Sequence, residues 1–397
     1  MFDITLPSLE KLEKERLFDI LSFKIKSSIF ENIPTFVLRV KSSNYMPDDM
    51  RLLIGSALDC KYETGKEKKS FPDLYLKNIK MTGDPTTMYF DIFYYGALHF
   101  LQRSDERVCT KNKYANEVLN DIFDKLPFFK NNYKLVFKKS ENYTTLYRSL
   151  GTSDLEFINN QVCKNYSIQR GIPLFFTGLD KKITLTSINE ISDRTEKAKV
   201  VVKLCSNYSE KDRFFINRQV KSIVDKNYTE LTSTQFWMDL GENFEGLKPS
   251  AYYSPFDSDM NVTSAYDFNP SKGGKDYFPV SKNFLNMIET TDAQVFINRP
   301  KGNILFETRS HFKTFEDLIK FKIKITDLST LNHLIVAGDK IMLCTANAHS
   351  GFNGSYLVSE IVYGKDKSIP FCEMTVIRPN LDLNFEPSIP KMTLYTC

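Results

Sequence analysis

Several stretches carry residues that could do chemistry, and each chemistry requires a particular spacing. Asp257-Ser258-Asp259-Met260-Asn261 offers the alternating oxygens that open a calcium loop. Such a loop needs Gly at its sixth position for the sharp turn and Glu at its twelfth as a bidentate ligand. Val262 and Phe268 stand there instead. Gly273-Gly274-Lys275 has the flavour of a phosphate cradle but lacks the preceding Gly and the following Ser or Thr, and no strand leads into it, so it reads as a flexible turn. The histidines, His99, His311, His333 and His349, are isolated and fall in no metal-ligand spacing. No GxSxG elbow occurs, and no cysteine lies in a recognisable nucleophile context. Carboxylate pairs such as Asp48-Asp49 sit among turn formers, where Asp bends and caps the backbone. Acids of a glycoside hydrolase need only meet in space, so that reading stays open. No catalytic, cofactor-binding or metal-ligating residue is assigned, and no cofactor is expected.

Composition narrows the class further. The 397 residues exceed what one core usually holds, and 42% hydrophobic with 13% aromatic residues can fill two to four domains. The formal charge of +4 comes from 53 basic and 49 acidic residues, a near balance. Lysines such as Lys66, Lys68 and Lys69 are scattered, which disfavours a sequence-specific nucleic-acid binder. The seven cysteines (60, 109, 163, 205, 344, 372 and 397) are odd in number, widely spaced and without a CxxC pair, unlike a zinc site or a secreted disulfide scaffold. The N-terminal stretch is charged throughout, with no apolar signal core, and no run approaches a membrane span, so a soluble protein from a reducing compartment is expected. Asn-Tyr-Ser/Thr at Asn142, Asn165, Asn207 and Asn227 matches a glycosylation acceptor, which has no meaning without secretion.

The elements that would position any site are mainly strands. Phe36–Val40, Leu52–Ile54 and Tyr89–Tyr95 are β-branched or aromatic runs between turn formers, including Gly83-Asp84-Pro85. Tyr114, Val118 and Ile122, with Leu119 and Phe123 beside them, predict an amphipathic helix that Pro127 ends. Ser153 and Glu156 form a capping box opening a second helix, with Leu155, Ile158, Val162 and Tyr166 as its apolar stripe. Gly171-Ile172-Pro173 stops it ahead of a hairpin, Leu174–Phe176 and Ile183–Thr186. Val200–Leu204 and Phe214–Ile216 resume strands, whereas 243–276 is rich in Pro, Gly, Ser, Asp and Asn and reads as a looped insertion. A helix around Thr314–Lys320 runs into Phe321–Ile325, whose apolar/basic alternation is that of a half-buried strand.

The last block is the most ordered. Val336-Ala337-Gly338-Asp339 is a turn before the strand Lys340–Leu343. Gly354 opens a second strand through Val362, and Cys372–Ile377 is a third, with Cys372, Met374 and Val376 on one face and Glu373 and Thr375 on the other. Gly338, Asp339 and Gly354 are assigned as structural turns of this late scaffold.

The succession of a Gly-Asp-Lys turn and strand, a Gly-x-Tyr-Leu-Val strand and a strand ending in Arg378-Pro379 resembles the late β-barrel of contractile-tail baseplate hub proteins. That family covers the hub of T4-like phages, the late-control protein D group and the spike-hub half of type VI secretion proteins. Upstream, Ser153-Asp154-Leu155-Glu156-Phe157-Ile158 followed by Gly171-Ile172-Pro173-Leu174-Phe175-Phe176 is similar to the family's segment in the same order. The likeness spans roughly Cys109 to Pro379, while the N-terminal strands fit by pattern alone.

The resemblance implies a predominantly β, α+β fold with two similar β-barrel tube domains. Their expected bounds are 1–108, and 200–232 with 305–380. An α+β insertion would occupy 109–199, a looped insertion 233–304 and a tail 381–397. It also implies a homotrimer in the virion, synthesised in the host cytoplasm, whose six barrels adapt a sixfold tail tube to a threefold central spike. Wedge proteins, tube or tube-initiator proteins and the tape-measure protein would be its neighbours, with no membrane in the mature particle. The alternatives are a distal tail or tail-tip protein of a non-contractile phage and a virion-associated wall hydrolase. No family catalytic residue carries over.

Overall fold

The computed structural model describes residues 2–14, 18–42, 54–84, 87–102, 109–140, 144–147, 152–163, 166, 173–187, 190–191, 196–204, 224–239, 250–253, 263–264, 293–296, 320–345, 353–367 and 369–377. Strands dominate, and twelve of them form one sheet. The early part is an antiparallel meander: Asp19–Ser28 pairs Thr35–Ser42, which pairs Thr87–Gly96, which pairs Leu74–Asp84. Alternation drives it, because every second residue of Thr87–Gly96 from Phe90 onward is buried while its neighbours stay half-exposed. Gly83 and Asp84 belong to the hairpin rather than to a loop before it, pairing with Met88 and Thr87. Leu52 and Leu53 lie outside the described residues, and Ile54 occupies a turn instead of a strand.

The late part contains Ala198–Lys203 and Val224–Thr232, with Lys320–Ile325, Lys340–Cys344, Gly354–Asp366 and Ile369–Ile377. Cys372, Met374 and Val376 are buried together. Gly354–Asp366 is the junction of the whole sheet. Along one edge it pairs Ile369–Ile377 from Leu357 to Asp366. Along the other its first residues pair Lys340–Cys344, and the stretch from Glu360 to Asp366 pairs Asp19–Ser28. Early and late blocks therefore share one ladder and one hydrophobic core, which runs from Phe2 to Ile377.

The pairing is an open path, and no closed barrel forms among the described residues. Chain continuity nevertheless brings the two outer arms of the late block together. Val224–Thr232 lies against Ala198–Lys203, and Gln235–Asp239, two residues on, pairs Lys320–Ile325. At the bend the Ser233 N–H donates to Lys203 O and the Thr234 N–H to Lys324 O, both at 2.8 Å.

The 109–187 region has a core of its own, joined by Ala97, Leu98 and Leu101. The helix Ala115–Asp124 buries Val118, Leu119 and Phe123, and the Tyr114 N–H donates to Glu117 Oε2 at 2.9 Å to close its start. Pro127 does more than end this helix, since it opens a second one, Pro127–Asn132, at the position where a missing N–H costs nothing. The Ser153 hydroxyl accepts the Glu156 N–H at 3.2 Å, as a cap should. The helix after it is α only over Asp154–Phe157 and then widens to a π turn over Ile158–Val162. Pro173–Thr177 and Lys182–Ser187 form the hairpin, and Lys134–Phe137 adds a parallel strand to it.

Within 243–276 the chain is not purely looped, because Ser250–Tyr253 pairs Thr263–Ser264 and, in parallel, Ala293–Phe296. Phe214–Ile216, residues 314–319 of the helix expected over Thr314–Lys320 and the tail 381–397 lie outside the described residues, and Lys320 opens a strand instead of ending a helix.

Candidate functional site

The feature that distinguishes this molecule is the Gly354–Asp366 strand and what is anchored to it. Val336 to Asp339 form a tight turn, with the Asp339 N–H donating to Val336 O at 3.1 Å and the Val336 N–H to Asp339 Oδ2 at 2.9 Å. Gly338 holds φ +92°, a left-handed geometry that costs a side chain dearly, and a Cβ there would touch the Phe176 ring at 3.4 Å. The turn is fastened to the shared strand by the Gly338 N–H to Val358 O at 2.8 Å and the Val358 N–H to Asp339 O at 2.9 Å. Gly354 begins the strand at φ +144° and pairs Leu343. The three residues singled out in the sequence thus lie along one hydrogen-bonded seam, Gly338 and Asp339 at its turn and Gly354 at its start.

Burial lifts the Asp339 carboxyl to about 6, the nearby Asp180 charge acts in the same direction, and the Val336 N–H with Lys199 and Lys182 opposes it. Beside this turn lies a cavity of about 580 Å³, with Tyr62, Asp180, Lys199 and His333 among its walls. Both charge signs line it.

Two positions on the shared strand gave no signal in the sequence. Tyr363 is fully buried, and its hydroxyl donates to Ile335 O at 3.1 Å while accepting the Ile335 N–H at 3.0 Å. Its ring lies 5.2 Å from Phe2 and 6.4 Å from Phe71, so one side chain ties the N-terminal residues, the early block and the loop before Lys340. Gly364 leaves room for the Phe371 ring: an added Cβ would come within 2.5 Å of that ring and 2.6 Å of Phe23 O. Ring-over-glycine packing across a strand pair is a known way to fill the gap. Lys24 and Lys324 lie over the same ring, 5.3 and 5.0 Å from its centroid. Tyr and Gly inside a strand pattern carry no unusual spacing, which is why reading along the chain passes over both.

The outward face of the sheet around Asp19–Ser28, Thr35–Ser42 and Ile369–Ile377 is polar and nearly balanced, whereas over the late strands Ala198, Val201, Val224, Met342 and Cys344 form a small buried apolar cluster. Glu373 lies between Lys324 at 3.4 Å and Lys24 at 3.9 Å, Lys26 between Glu31 and Glu360 at 2.9 Å each, and Arg39 faces Asp91 at 3.6 Å. These partly exposed pairs each contribute about 0–1 kcal/mol, and their effect is to select register. Chemistry of other kinds is poorly served. Cys60, Cys163, Cys344 and Cys372 are buried, and burial pushes every one of these thiols upward, to about 12 for Cys163 and Cys344, so none is a ready nucleophile. His99 is stacked on Tyr95 and held below its usual value by burial and by Lys77. Among the described residues no three His, Cys, Asp or Glu side chains meet as a metal-binding group.

The insertion is pinned to this scaffold by polar contacts at two places, one where the Asp73 N–H donates to the Tyr133 hydroxyl at 3.2 Å and one around Asn32. Asn32 Nδ2 donates to Phe175 O at 2.6 Å, Asn159 Nδ2 donates to Asn32 Oδ1 at 2.9 Å, and the Ser27 hydroxyl donates to Thr177 O at 2.8 Å.

No protein-family model matches the chain, and no curated protein does. Solved structures do. The 43 kDa tail protein of prophage MuSo2 from Shewanella oneidensis superposes with TM-score 0.54 at 11% identity, over 91% of this chain and 94% of that one. A tail protein from Neisseria meningitidis MC58 superposes with TM-score 0.55 at 10% identity, over 93% and 94%. The chain therefore shares its fold with these two tail proteins over about nine-tenths of its length. The fold is predominantly β with an α+β part.

Proposed function

We propose that this chain is a structural component of a phage tail, the hub of its baseplate. The observation that carries the reading is the pair of β blocks built onto the single strand Gly354–Asp366. A hub must hold two barrel-like units in fixed relation, and hydrogen-bonding both to one strand does so without a hinge. The late block's bent segment at Ser233-Thr234, bonded to both of its arms, supports a barrel-like unit there. The likeness to tail proteins over nearly the whole chain supports the same role. In this reading the chain is a scaffold and not a catalyst, and it works in the virion. Three copies surround a channel, matching a sixfold tube to a threefold spike, with wedge and tape-measure proteins as neighbours. Gly338, Asp339 and Gly354 keep the late unit in register, within domains close to the bounds expected from the sequence.

The test is the mass of the purified chain by light scattering, alone and with the candidate spike protein. A trimer that binds the spike is expected. A monomer that releases sugar from peptidoglycan would overturn the proposal in favour of a wall hydrolase.

A further inference from the structure

The cavity of about 580 Å³ beside Asp339 has walls from three parts of the chain. The early block supplies Tyr62, Glu67 and Lys69, the turn of the insertion's hairpin supplies Asp180, Lys181 and Lys182, and the late block supplies Glu196, Lys197, Lys199 and the turn before Lys340. A space of this size accommodates a small ligand. Six lysines and no arginine line it, against four carboxylates. Three of those carboxylates are engaged within the protein: Glu67 faces Lys69 at 3.2 Å and His333 at 3.7 Å, Asp180 faces Lys182 at 2.5 Å, and Asp339 accepts the Val336 N–H. Glu196, Lys197 and Lys199 form no ion pair among the described residues, and here the cations outnumber the acid. Tyr62 points the same way. Its side chain is only 4% exposed, and its ring is held against Phe71 at 4.9 Å. Its hydroxyl nevertheless has no hydrogen-bond partner among the described residues. Buried polar groups are normally paired, so a phenol in a cavity wall takes its partner from what fills the cavity. Burial, with Glu67 and Asp180 nearby, pushes this phenol up to about 12, which keeps it a neutral donor.

We propose that this cavity binds a small molecule carrying more than one phosphate group, with Lys197 and Lys199 facing its charge and the Tyr62 hydroxyl donating to a phosphate oxygen. Phosphate is favoured over carboxylate because lysine serves a tetrahedral anion as a point charge, whereas a planar carboxylate is matched by the arginine fork that these walls lack. A ligand seated here touches both β blocks and the turn of the insertion at once, and so fastens the three together. The site lies within a single copy of the chain, so the inference stands apart from the hub reading and its trimer.

The test is calorimetric titration of the purified full chain with inorganic pyrophosphate, with thermal unfolding as a second readout. Saturable binding is expected, and a rise in unfolding temperature follows because the ligand binds the folded state alone. Tyr62→Phe removes only the unpartnered hydroxyl and should weaken binding by about tenfold. Changing Lys197→Met and Lys199→Met together should weaken it further, and both variants should unfold at the native temperature when no ligand is present. Lys322→Met, at an exposed lysine outside the cavity wall, should bind as the native chain does. Failure of pyrophosphate to saturate, or binding that Tyr62→Phe and the double lysine change leave intact, overturns the site. Citrate binding as tightly as pyrophosphate overturns the choice of phosphate. A chain that assembles as a trimer with this cavity holding water alone overturns the proposal and leaves the hub reading standing.

Discussion

Tyr363 and Asp339 show how much of this molecule hangs on single side chains. The Tyr363 hydroxyl makes two buried hydrogen bonds to Ile335, so Tyr363→Phe leaves a buried N–H and C=O unpaired. We expect a loss of about 1–3 kcal/mol, measured by urea unfolding. Asp339 makes a pH-dependent contribution whose sign is set by its upward displacement to about 6. The folded state favours the protonated carboxyl, so the stabilisation is present below the unfolded value near 4 and is lost as pH rises through about 6. Asp339→Asn keeps an oxygen to accept the Val336 N–H and has no charge to bury. The stability of the native chain relative to this variant should fall between those pH values by at most about 3 kcal/mol, and a flat difference would disprove the assignment.

Strands and helices were legible to different degrees, and the reasons are physical. Phe321–Ile325 and Cys372–Ile377 alternate because one side of each is wet, and that period is printed in the chain. The π turn at Ile158–Val162 was not legible, since its apolar stripe is equally good for an α-helix and only packing chooses between them. Pairing partners are invisible for a related reason: alternation says which face is buried but not which strand lies alongside. The parallel contact of Lys134–Phe137 with Lys182–Ser187 is one case, and the double use of Gly354–Asp366 is another. Gly364→Ala tests the latter, because its Cβ would strike the Phe371 ring and the Phe23 carbonyl together. A cost of about 1–3 kcal/mol is expected, with faster amide exchange in both Asp19–Ser28 and Ile369–Ile377. Loosening of only one of them would mean that the two strands are not coupled through this position.

For the molecule as a whole, one core joins the early and late blocks and takes in Leu174, Phe176 and Leu179 of the insertion's hairpin, a second holds the rest of the insertion with Ala97, Leu98 and Leu101, and a small third lies at Ala198, Val201, Val224, Met342 and Cys344. Hydrogen exchange should therefore show the helices of 109–163 opening apart from the sheet, with the hairpin 173–187, which belongs to both large cores, protected to an intermediate degree. Asn32→Ala, which removes the side-chain bonds to Phe175 and Asn159, should raise exchange in the insertion without altering the sheet. The order of residues sufficed for the β-rich class, the capped helix starts, the late three-strand succession and the glycine turns, because each depends on neighbours within a few positions. The joining of distant blocks on one strand and the placement of Tyr363 among Phe2, Phe71 and Ile335 emerged from folding alone. Those contacts unite residues hundreds of positions apart, and their energy depends on shape and desolvation at the meeting point, for which no local pattern exists.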